Sequence, residues 1–330
     1  MDSKEPLVIY FGGVKTITSA FRDDLIKMHG AGVKNILGTF WTPAEVKGLM
    51  QLSSQKQKFN LFLDSGAFSL WRLAEKKGIK NFYGTPMLEE YLKKYERFLL
   101  QSKDKFVVYV TLDIVFDQEA TFAIWKQMYE KGINSLPVLH IGEPVEALDK
   151  YFEATEDVSY IGLGGVGRSG VTDRYYRWAD SVFVYLSKLK KKVKVHGFAM
   201  TAPKMIMRYP WDSVDSVTPL VNAYLGNILY IKESGDMLGL YVSERLKKSS
   251  VEEAEFELEN YERMDQQKSS KNDISKEEEE FWRSICQERD IDYDNMDWHN
   301  RVKFNLISYV QFQNNLSSRG KNLFQKMIKF

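Results

Sequence analysis

The sequence predicts an α/β protein whose first two-thirds form a (β/α)8 TIM barrel. Short runs of β-branched and aromatic residues alternate with amphipathic stretches, which is typical of a parallel sheet. The alternation occurs about eight times in roughly 220 residues, which is the count and size of such a barrel. Residues suited to chemistry also follow the apolar runs, as expected for a fold whose active sites lie at the C-terminal ends of the strands.

Each predicted strand is an apolar run that ends at or near Gly, Asp or another polar residue: Leu7–Gly13, Asn35–Phe40, Phe59–Asp64, Phe106–Asp113, Ser135–Gly142, Tyr160–Gly165, Val193–Met200 and Ser213–Val217. The amphipathic stretches between them predict helices: Pro86–Gln101, Glu119–Lys131, Val145–Ala154 and Arg174–Lys192. A doubly wound sheet is the alternative, but Phe11-Gly12-Gly13-Val14 is too short for a dinucleotide-binding turn. We therefore expect residues 1–240 to form the barrel and residues 241–330 a charged, mostly helical extension.

Composition narrows the functional classes. The chain has 330 residues, is 44% hydrophobic and 28% charged, and carries a net charge of +1. This near-neutral charge gives no global attraction to polyanions, so a nucleic-acid surface would need a local cluster. The single cysteine, Cys286, excludes a disulfide framework and a zinc site built on several thiolates. We expect no metal or cofactor. The N-terminus lacks an apolar signal core, and no apolar run reaches about 18 residues, which predicts a cytoplasmic protein without a membrane span.

Two aspartates follow predicted strands about 150 residues apart. Asp64 lies in Leu-Asp-Ser-Gly-Ala-Phe-Ser (63–69) and Asp215 in Trp-Asp-Ser-Val-Asp-Ser-Val-Thr-Pro (211–219). Two carboxylates at two strand ends suit displacement at a sugar carbon, in which one attacks and the other moves protons. We predict both as catalytic. The small residues after Asp64, including Ser65, let a flat ligand approach, and Phe68 is positioned to stack on it.

Further candidates lie at the same predicted edge of the barrel. Asp113 ends the fourth strand and could accept two hydrogen bonds from a guanine-like edge. Gly164 and Gly165 end the sixth strand, where glycines expose backbone N–H groups to a ligand. His140 and His196 follow the fifth and seventh strands, and each is either a donor to the ligand or a core histidine. Together with Ser65 and Phe68, these residues form the predicted base-binding set.

Basic and aromatic residues are interleaved near the C-terminus. Arg301, Lys303, Arg319 and Lys321 occur in a segment that has no acidic residue after Asp297. This pattern suits a nucleic-acid surface, and it equally suits a helix that packs its aromatic side chains on the barrel. We predict that these four residues form a nucleic-acid surface.

These residues resemble the tRNA-guanine transglycosylase superfamily over about residues 7–225. The segment Asp64–Phe68 is similar to the family's Asp-Ser-Gly-Gly-Phe motif, with alanine in place of the second glycine. Residues 214–219 resemble its Phe-Asp-Cys-Val-x-Pro nucleophile segment, and Gly164-Gly165 resembles its paired glycines. Asp113 is similar to its carboxylate after the fourth strand, and His140 stands where the family has a base-reading glutamine.

The resemblance implies an enzyme that exchanges guanine in nucleic acid for a 7-deazaguanine, such as 7-cyano-7-deazaguanine (preQ0), through a covalent glycosyl-aspartate. Family members usually carry a Cys-x-Cys-x-x-Cys…His zinc site, which one cysteine cannot form. The phage and genomic-island relatives that modify DNA are more divergent, which favours DNA over tRNA as the partner. The sequence leaves open whether the enzyme acts alone, as a homodimer or with an accessory protein.

The sequence leaves three alternative functions open. The first is a tRNA-guanine transglycosylase, the queuosine-forming branch of the family. The second is a catalytically silent, base-binding subunit of a transglycosylase pair, although both Asp64 and Asp215 are present. The third is an unrelated barrel hydrolase of carbohydrates, which would more often carry Glu at the strand ends.

Overall fold

The computed structural model describes residues 6–14, 25–26, 29–30, 32–55, 59–165, 173–200, 202–242, 267–270 and 274–318. The eight predicted strands are all present: β1 (Val8–Phe11), β2 (Asn35–Thr39), β3 (Asn60–Asp64), β4 (Val108–Tyr109), β5 (Val138–His140), β6 (Tyr160–Gly164), β7 (Lys194–Gly197) and β8 (Ser213–Ser216). They form one sheet in the order β4-β3-β2-β1-β8-β7-β6-β5, and every neighbouring pair is parallel.

The two ends of this sheet are joined to each other. A parallel bridge pairs Val110, just after β4, with Leu136, just before β5. The Leu136 N–H donates to the Tyr109 carbonyl at 2.8 Å, and the Thr111 N–H donates to the Leu136 carbonyl at 3.0 Å. The sheet therefore closes on itself, and the predicted (β/α)8 barrel is confirmed.

Helices follow the strands as the periodicity predicts. The helices of the barrel are α1 (Pro43–Gln55), α2 (Ala67–Lys76), α3 (Pro86–Ser102), α4 (Gln118–Glu130), α5 (Asp149–Ala154), α6 (Asp173–Lys188), α7 (Pro203–Arg208) and α8 (Thr218–Tyr224). Local chemistry fixes their starts: the Thr85 hydroxyl accepts from the Leu88 N–H and caps α3, and Asp117 accepts from the Ala120 N–H and caps α4. Where a helix starts shortly after the end of a strand, its N-terminus lies at the C-terminal edge of the barrel.

Two apolar regions support the barrel. Its interior is filled by alternate residues from several strands, namely Tyr10, Phe62, Val110, Leu136 and Val138. The larger core lies between the sheet and the helices. Successive side chains of a strand point to opposite faces of the sheet. Residues that lie two or four positions after one of these interior residues therefore also point into the barrel, towards its mouth.

The C-terminal extension contains helices, as predicted, and also a sheet that was not predicted. Strands β9 (Asn227–Ile231) and β10 (Met237–Tyr241) form an antiparallel hairpin, and β11 (Gln267–Ser270) pairs parallel with β10. Helices α9 (Lys276–Glu288) and α10 (Trp298–Ser318) follow. Strand β10 runs across residue 240, which was the predicted domain boundary.

Helix α10 attaches this extension to the barrel through buried polar groups. The Asn305 amide donates to the carbonyls of Pro219 and Asn227, and its oxygen accepts from the Leu229 N–H at 2.7 Å. The Gln313 side chain accepts from the Ile9 N–H of β1, also at 2.7 Å. Such bonds satisfy backbone groups that would otherwise be buried without partners.

Among the described residues, no helix has both the length and the apolar character that a membrane span requires.

Candidate active site

Asp64 is held at the end of β3 through one carboxylate oxygen. Its Oδ2 accepts hydrogen bonds from the Thr39 hydroxyl at 3.0 Å and from the Gly66 N–H at 2.9 Å. Gly66 has φ of 78°, and a Cβ there would lie 2.5 Å from the Tyr91 hydroxyl. A side chain at residue 66 would therefore disturb the loop that holds the carboxylate.

The surroundings of Asp64 favour its protonated form. Burial, together with the negative charge of Asp113 and more weakly that of Asp215, raises its pKa from 3.8 to about 6. The hydrogen bonds from Gly66 and Thr39 act in the opposite direction and are outweighed. Asp64 ends β3, Asp113 follows β4 and Asp215 lies in β8, so the closed parallel sheet brings all three aspartates to its C-terminal edge.

Asp215 lies in β8 and is also held through a single oxygen. Its Oδ1 accepts from the Ala199 N–H at 2.9 Å and faces His196 Nε2 at 3.2 Å. Ala199 has φ of 51°, a left-handed conformation that is uncommon for a residue with a Cβ. The loop after β7 is thus shaped so that a backbone donor points at this carboxylate.

His196 lies one layer below Asp215 inside the barrel. It is level with Gly162 and Ser213 in the sheet register, and its side chain is fully buried. Its Nδ1 contacts the Ser213 hydroxyl at 2.5 Å, and its ring stacks on Phe62 with centroids 4.4 Å apart. His196 is thus a buried histidine that contacts Ser213 and Asp215, and its predicted contact with a base stays a prediction.

Asp113 follows β4 and pairs with His140 at the end of β5. Its Oδ2 lies 2.8 Å from His140 Nε2, while His140 Nδ1 faces Glu143 Oε1 at 3.4 Å. Burial lowers the pKa of His140, but the two carboxylates outweigh it and raise the pKa from 6.5 to about 9. His140 is therefore a buried cation whose Nε2 is hydrogen-bonded to Asp113. Its Nδ1 faces Glu143 without a hydrogen bond, and the other Glu143 oxygen accepts from the His140 backbone N–H at 2.7 Å. The predicted donation of His140 to a base stays a prediction, and the described contact of Nε2 is with Asp113.

The predicted glycines and Ser65 lie beside these residues, and each has a packing reason. Gly164 is level with His140, and a Cβ there would lie 3.3 Å from the histidine ring. Gly165 has φ of 97°, and a Cβ there would lie 2.5 Å from the Ile141 side chain. Ser65 is fully buried, and its hydroxyl accepts from the Ala67 N–H at 3.3 Å. Its side chain therefore closes the turn after β3 instead of facing the mouth.

Phe68 lies in the first turn of α2, and its ring is half-buried against Trp71 with centroids 5.7 Å apart. The described contacts place it near the Asp64 loop, and its predicted stacking on a base stays a prediction.

The predicted nucleic-acid residues of the C-terminus are corrected in part. Arg301 is 2% exposed, and its guanidinium donates to the carbonyls of Ala223 and Met296 at 2.8 and 2.6 Å. It is thus an internal residue of α10 and cannot contact a polymer. Lys303 donates to the Asp290 carbonyl at 2.8 Å. Arg319 and Lys321 lie outside the described residues.

A surface cavity of about 570 Å³ lies away from the carboxylates, between α6, α7 and the β9–β10 turn. Two of its three cations are paired, Lys204 with Asp236 and Arg208 with Asp180, and Asp173 lines the cavity one helical turn before the third cation, Arg177. The cavity therefore has no net charge that would favour a phosphate. Within the described ranges, no group of three or more His, Cys, Asp or Glu side chains is arranged to hold a metal ion.

Three functional contacts were missed from the sequence: Thr39, Glu143 and the backbone of Ala199. Thr39 ends β2 and pairs in register with Asp64, so aligning the ends of neighbouring strands would have found it. Glu143 follows His140 by three residues in the same loop, and an acid at that distance from a histidine is a recognisable signal. The Ala199 donor depends on a backbone conformation, for which the sequence carries no signal.

No family model matches the sequence, and no curated protein matches it either. A solved structure described as "Structural study of Project ID from Aquifex aeolicus VF5" is similar, with 12% identity and a TM-score of 0.42. The similarity covers 66% of this chain and 86% of that one.

Proposed function

We propose that this protein is a transglycosylase that exchanges guanine in nucleic acid for a 7-deazaguanine through a covalent glycosyl-aspartate. One observation carries the proposal: Asp64, Asp113 and Asp215 share the barrel mouth, and the environment of Asp64 raises its pKa to about 6. A carboxyl group near this pKa can both give and take a proton at neutral pH. A second, separately held carboxylate supplies the nucleophile that covalent catalysis needs.

The three aspartates share one mode of attachment. Each accepts its described hydrogen bonds on a single oxygen: Oδ2 of Asp64, Oδ2 of Asp113 and Oδ1 of Asp215. Fixing one oxygen orients the whole carboxylate and directs the second oxygen to a ligand. This is the arrangement expected for groups that must be both rigid and reactive.

In the first step Asp215 attacks C1′ of the flipped nucleotide. The bond from C1′ to N9 of guanine breaks, an ester to the aspartate forms, and protonated Asp64 gives its proton to the leaving base. In the second step Asp64 takes the proton from N9 of the incoming 7-deazaguanine. That nitrogen attacks C1′, the ester breaks and Asp215 is regenerated. Two inversions retain the configuration of the sugar.

Asp113 is the base-reading residue in this proposal. A guanine-like edge presents an amide N–H and an amino group, which are both donors, so a carboxylate complements it. The His140 cation donates to Oδ2 of Asp113 and leaves Oδ1 for the base. Glu143 accepts from the His140 backbone N–H at 2.7 Å and places its charge 3.4 Å from Nδ1, so the orientation of Asp113 depends on a chain of three residues.

The choice of DNA as the polymer rests on the sequence. One cysteine cannot form the zinc site that is usual in the tRNA-modifying branch, and the DNA-modifying relatives are the more divergent branch. Because Arg301 is internal and Lys303 is bonded to Asp290, the described part of α10 does not support the docking role predicted for it.

The test is release of radiolabelled guanine from duplex DNA, single-stranded DNA and tRNA upon addition of 7-cyano-7-deazaguanine. Asp215→Asn should abolish release and Asp64→Asn should reduce it strongly, since each keeps the side-chain shape but removes the reactive group. Asp104→Asn is the matched control, because Asp104 is exposed and pairs only with neighbouring Lys105. Normal release by Asp215→Asn would refute the mechanism. Release from tRNA alone would overturn the choice of DNA, and base binding without release would favour the silent-subunit alternative.

A further inference from the structure

Phe116 is an exposed aromatic residue at the edge of the candidate site. It lies three residues after Asp113, in the loop between β4 and α4, and 49% of its surface is exposed. Its ring centroid lies 6.0 Å from that of His140, with the rings tilted by 58°. The phenyl ring therefore contacts, at a tilt, the histidine that pairs with Asp113, while about half of the Phe116 surface faces solvent.

The backbone of Phe116 adds a second observation. Its φ is 62°, in the left-handed region, and the Asp117 N–H donates to the Ile114 carbonyl at 2.9 Å to close the turn. Turns of this kind, with a positive φ at the third residue, favour glycine or asparagine there. A bulky aromatic residue is strained in this conformation and gains little from packing when half of it is exposed.

The described residues contain two other left-handed non-glycine positions, and both have an evident reason. Asp290 directly follows the end of α9, where a left-handed residue commonly terminates a helix. Ala199 directs its N–H to Asp215. The contacts of Phe116 with the described residues give no such reason for its conformation.

We infer that Phe116 is a substrate-contacting residue that stacks on the face of the heterocyclic base whose edge is bound by Asp113. The inference rests on the proposed function and extends it, because neither the sequence motifs nor the three aspartates assign this residue. Strain and exposure at a binding site are explained if the missing packing partner is the ligand. A planar base whose edge is bound by Asp113 would present its face to an exposed ring next to the histidine that pairs with this aspartate.

The expected effect is confined to base binding. Loss of one aromatic–base stack weakens binding by roughly 5- to 150-fold. Phe116→Ala and Phe116→Gly should both show this loss for 7-cyano-7-deazaguanine, whereas Phe116→Tyr and Phe116→Trp should retain binding. Phe116→Gly should keep the melting temperature of the wild type, because glycine adopts a positive φ without strain.

The experiment is calorimetric titration of the full chain and its variants with 7-cyano-7-deazaguanine, without any nucleic acid. Leu100→Ala is the matched control: Leu100 is 53% exposed, but it lies in the last turn of α3, at the opposite end of the barrel from the mouth. A parallel titration measures binding of a guanine-containing single-stranded oligonucleotide, and thermal melting verifies that each variant is folded.

The outcomes separate this inference from the proposed function. Weaker binding of the free base by Phe116→Ala and Phe116→Gly, with retention by Phe116→Tyr, supports the inference. Equal binding by wild type and Phe116→Ala overturns the inference and leaves the proposed function intact. Loss of oligonucleotide binding alone also overturns it, because the ring would then contact a flanking nucleotide. A wild type that binds no 7-deazaguanine overturns both.

Discussion

Under the proposed function, replacing Asp64 by asparagine should abolish guanine exchange and at the same time stabilise the fold at neutral pH. The folded protein disfavours a negative charge at this position, through burial and the neighbouring Asp113 carboxylate. Asparagine removes the charge but keeps a side-chain oxygen that can accept from the Thr39 hydroxyl and the Gly66 N–H. The substitution therefore relieves repulsion without opening a cavity, a trade-off expected of catalytic groups.

The size of the stabilisation expected for Asp64→Asn follows from the pKa of Asp64. A carboxyl group whose pKa is 3.8 in the unfolded chain and about 6 in the folded protein lowers the stability by about 3 kcal/mol above pH 6. Between these two values the folded state binds more protons than the unfolded state, so the wild type gains stability as the pH falls. Because asparagine accepts weaker hydrogen bonds than a carboxylate, we expect a net gain of about 1–3 kcal/mol for Asp64→Asn.

Urea denaturation followed by the fluorescence of the seven tryptophans measures this difference. The advantage of Asp64→Asn over wild type should be complete at pH 7.5 and should vanish near pH 4. Asp104→Asn is the control, because Lys105 lowers the pKa of that exposed carboxylate and no gain is expected. If Asp64→Asn were no more stable than wild type at pH 7.5, or kept the same advantage at pH 4, the acid–base role of Asp64 would lose its physical basis.

Three further predictions concern the residues around the aspartates and the C-terminal helix. Glu143→Gln should lower the pKa of His140 from about 9, which NMR titration of the imidazole checks. The base affinity and the stability contributed by this cation are both lost as the pH rises through that pKa. In the variant both should therefore be lost at a lower pH. His196→Gln should reduce the rate of guanine release with little change in affinity for the free base, because His196 contacts the proposed nucleophile Asp215 and positions it. Single-turnover and binding assays measure the two quantities separately, and an equal loss in both would contradict this role. Arg301→Met should lower the free energy of unfolding by about 1–3 kcal/mol because two buried carbonyls lose their donor. The more exposed Lys303→Met should change it by less than about 0.5 kcal/mol, and equal effects in urea denaturation would refute the distinction.

The fold was predictable because its signal is repeated along the chain. All eight barrel strands lie within one to a few residues of their predicted ends, since each is a short apolar run bounded by polar or small residues. The β9–β10 hairpin was missed although the sequence contains its signal. Two apolar runs flank Glu233-Ser234-Gly235-Asp236, which is a turn composition, and Gly235 has φ of 83°. The predicted alternation of parallel strands and helices was continued to residue 240, although the antiparallel β9–β10 pair begins at Asn227.

The site was predictable only to the level of which strand ends carry chemistry. The sequence identifies His140 and His196 as candidates, but their roles depend on sheet register, which places His196 one layer below Asp215. Arg301 illustrates the same limit on a helix. It shares a buried face with Asn305 and Ser308, at spacings of four and seven residues, and this polar face bonds to barrel and hairpin carbonyls. Composition alone does not distinguish such a face from a basic surface.

The partners of each aspartate support the different roles proposed for three similar side chains at one barrel mouth. Among the described contacts, Asp64 accepts from two neutral donors, the Thr39 hydroxyl and the Gly66 N–H, and two negative charges lie near it, so its pKa is raised to about 6, which suits proton transfer. Asp113 faces the His140 cation, which suits a carboxylate that must remain an acceptor for a base. Asp215 is fixed by a rigid backbone donor and a buried ring, which suits a nucleophile that must keep its position while a bond forms and breaks. The division of labour therefore follows from the neighbours that the barrel supplies, so exchanging those neighbours should change the roles even if every aspartate is kept.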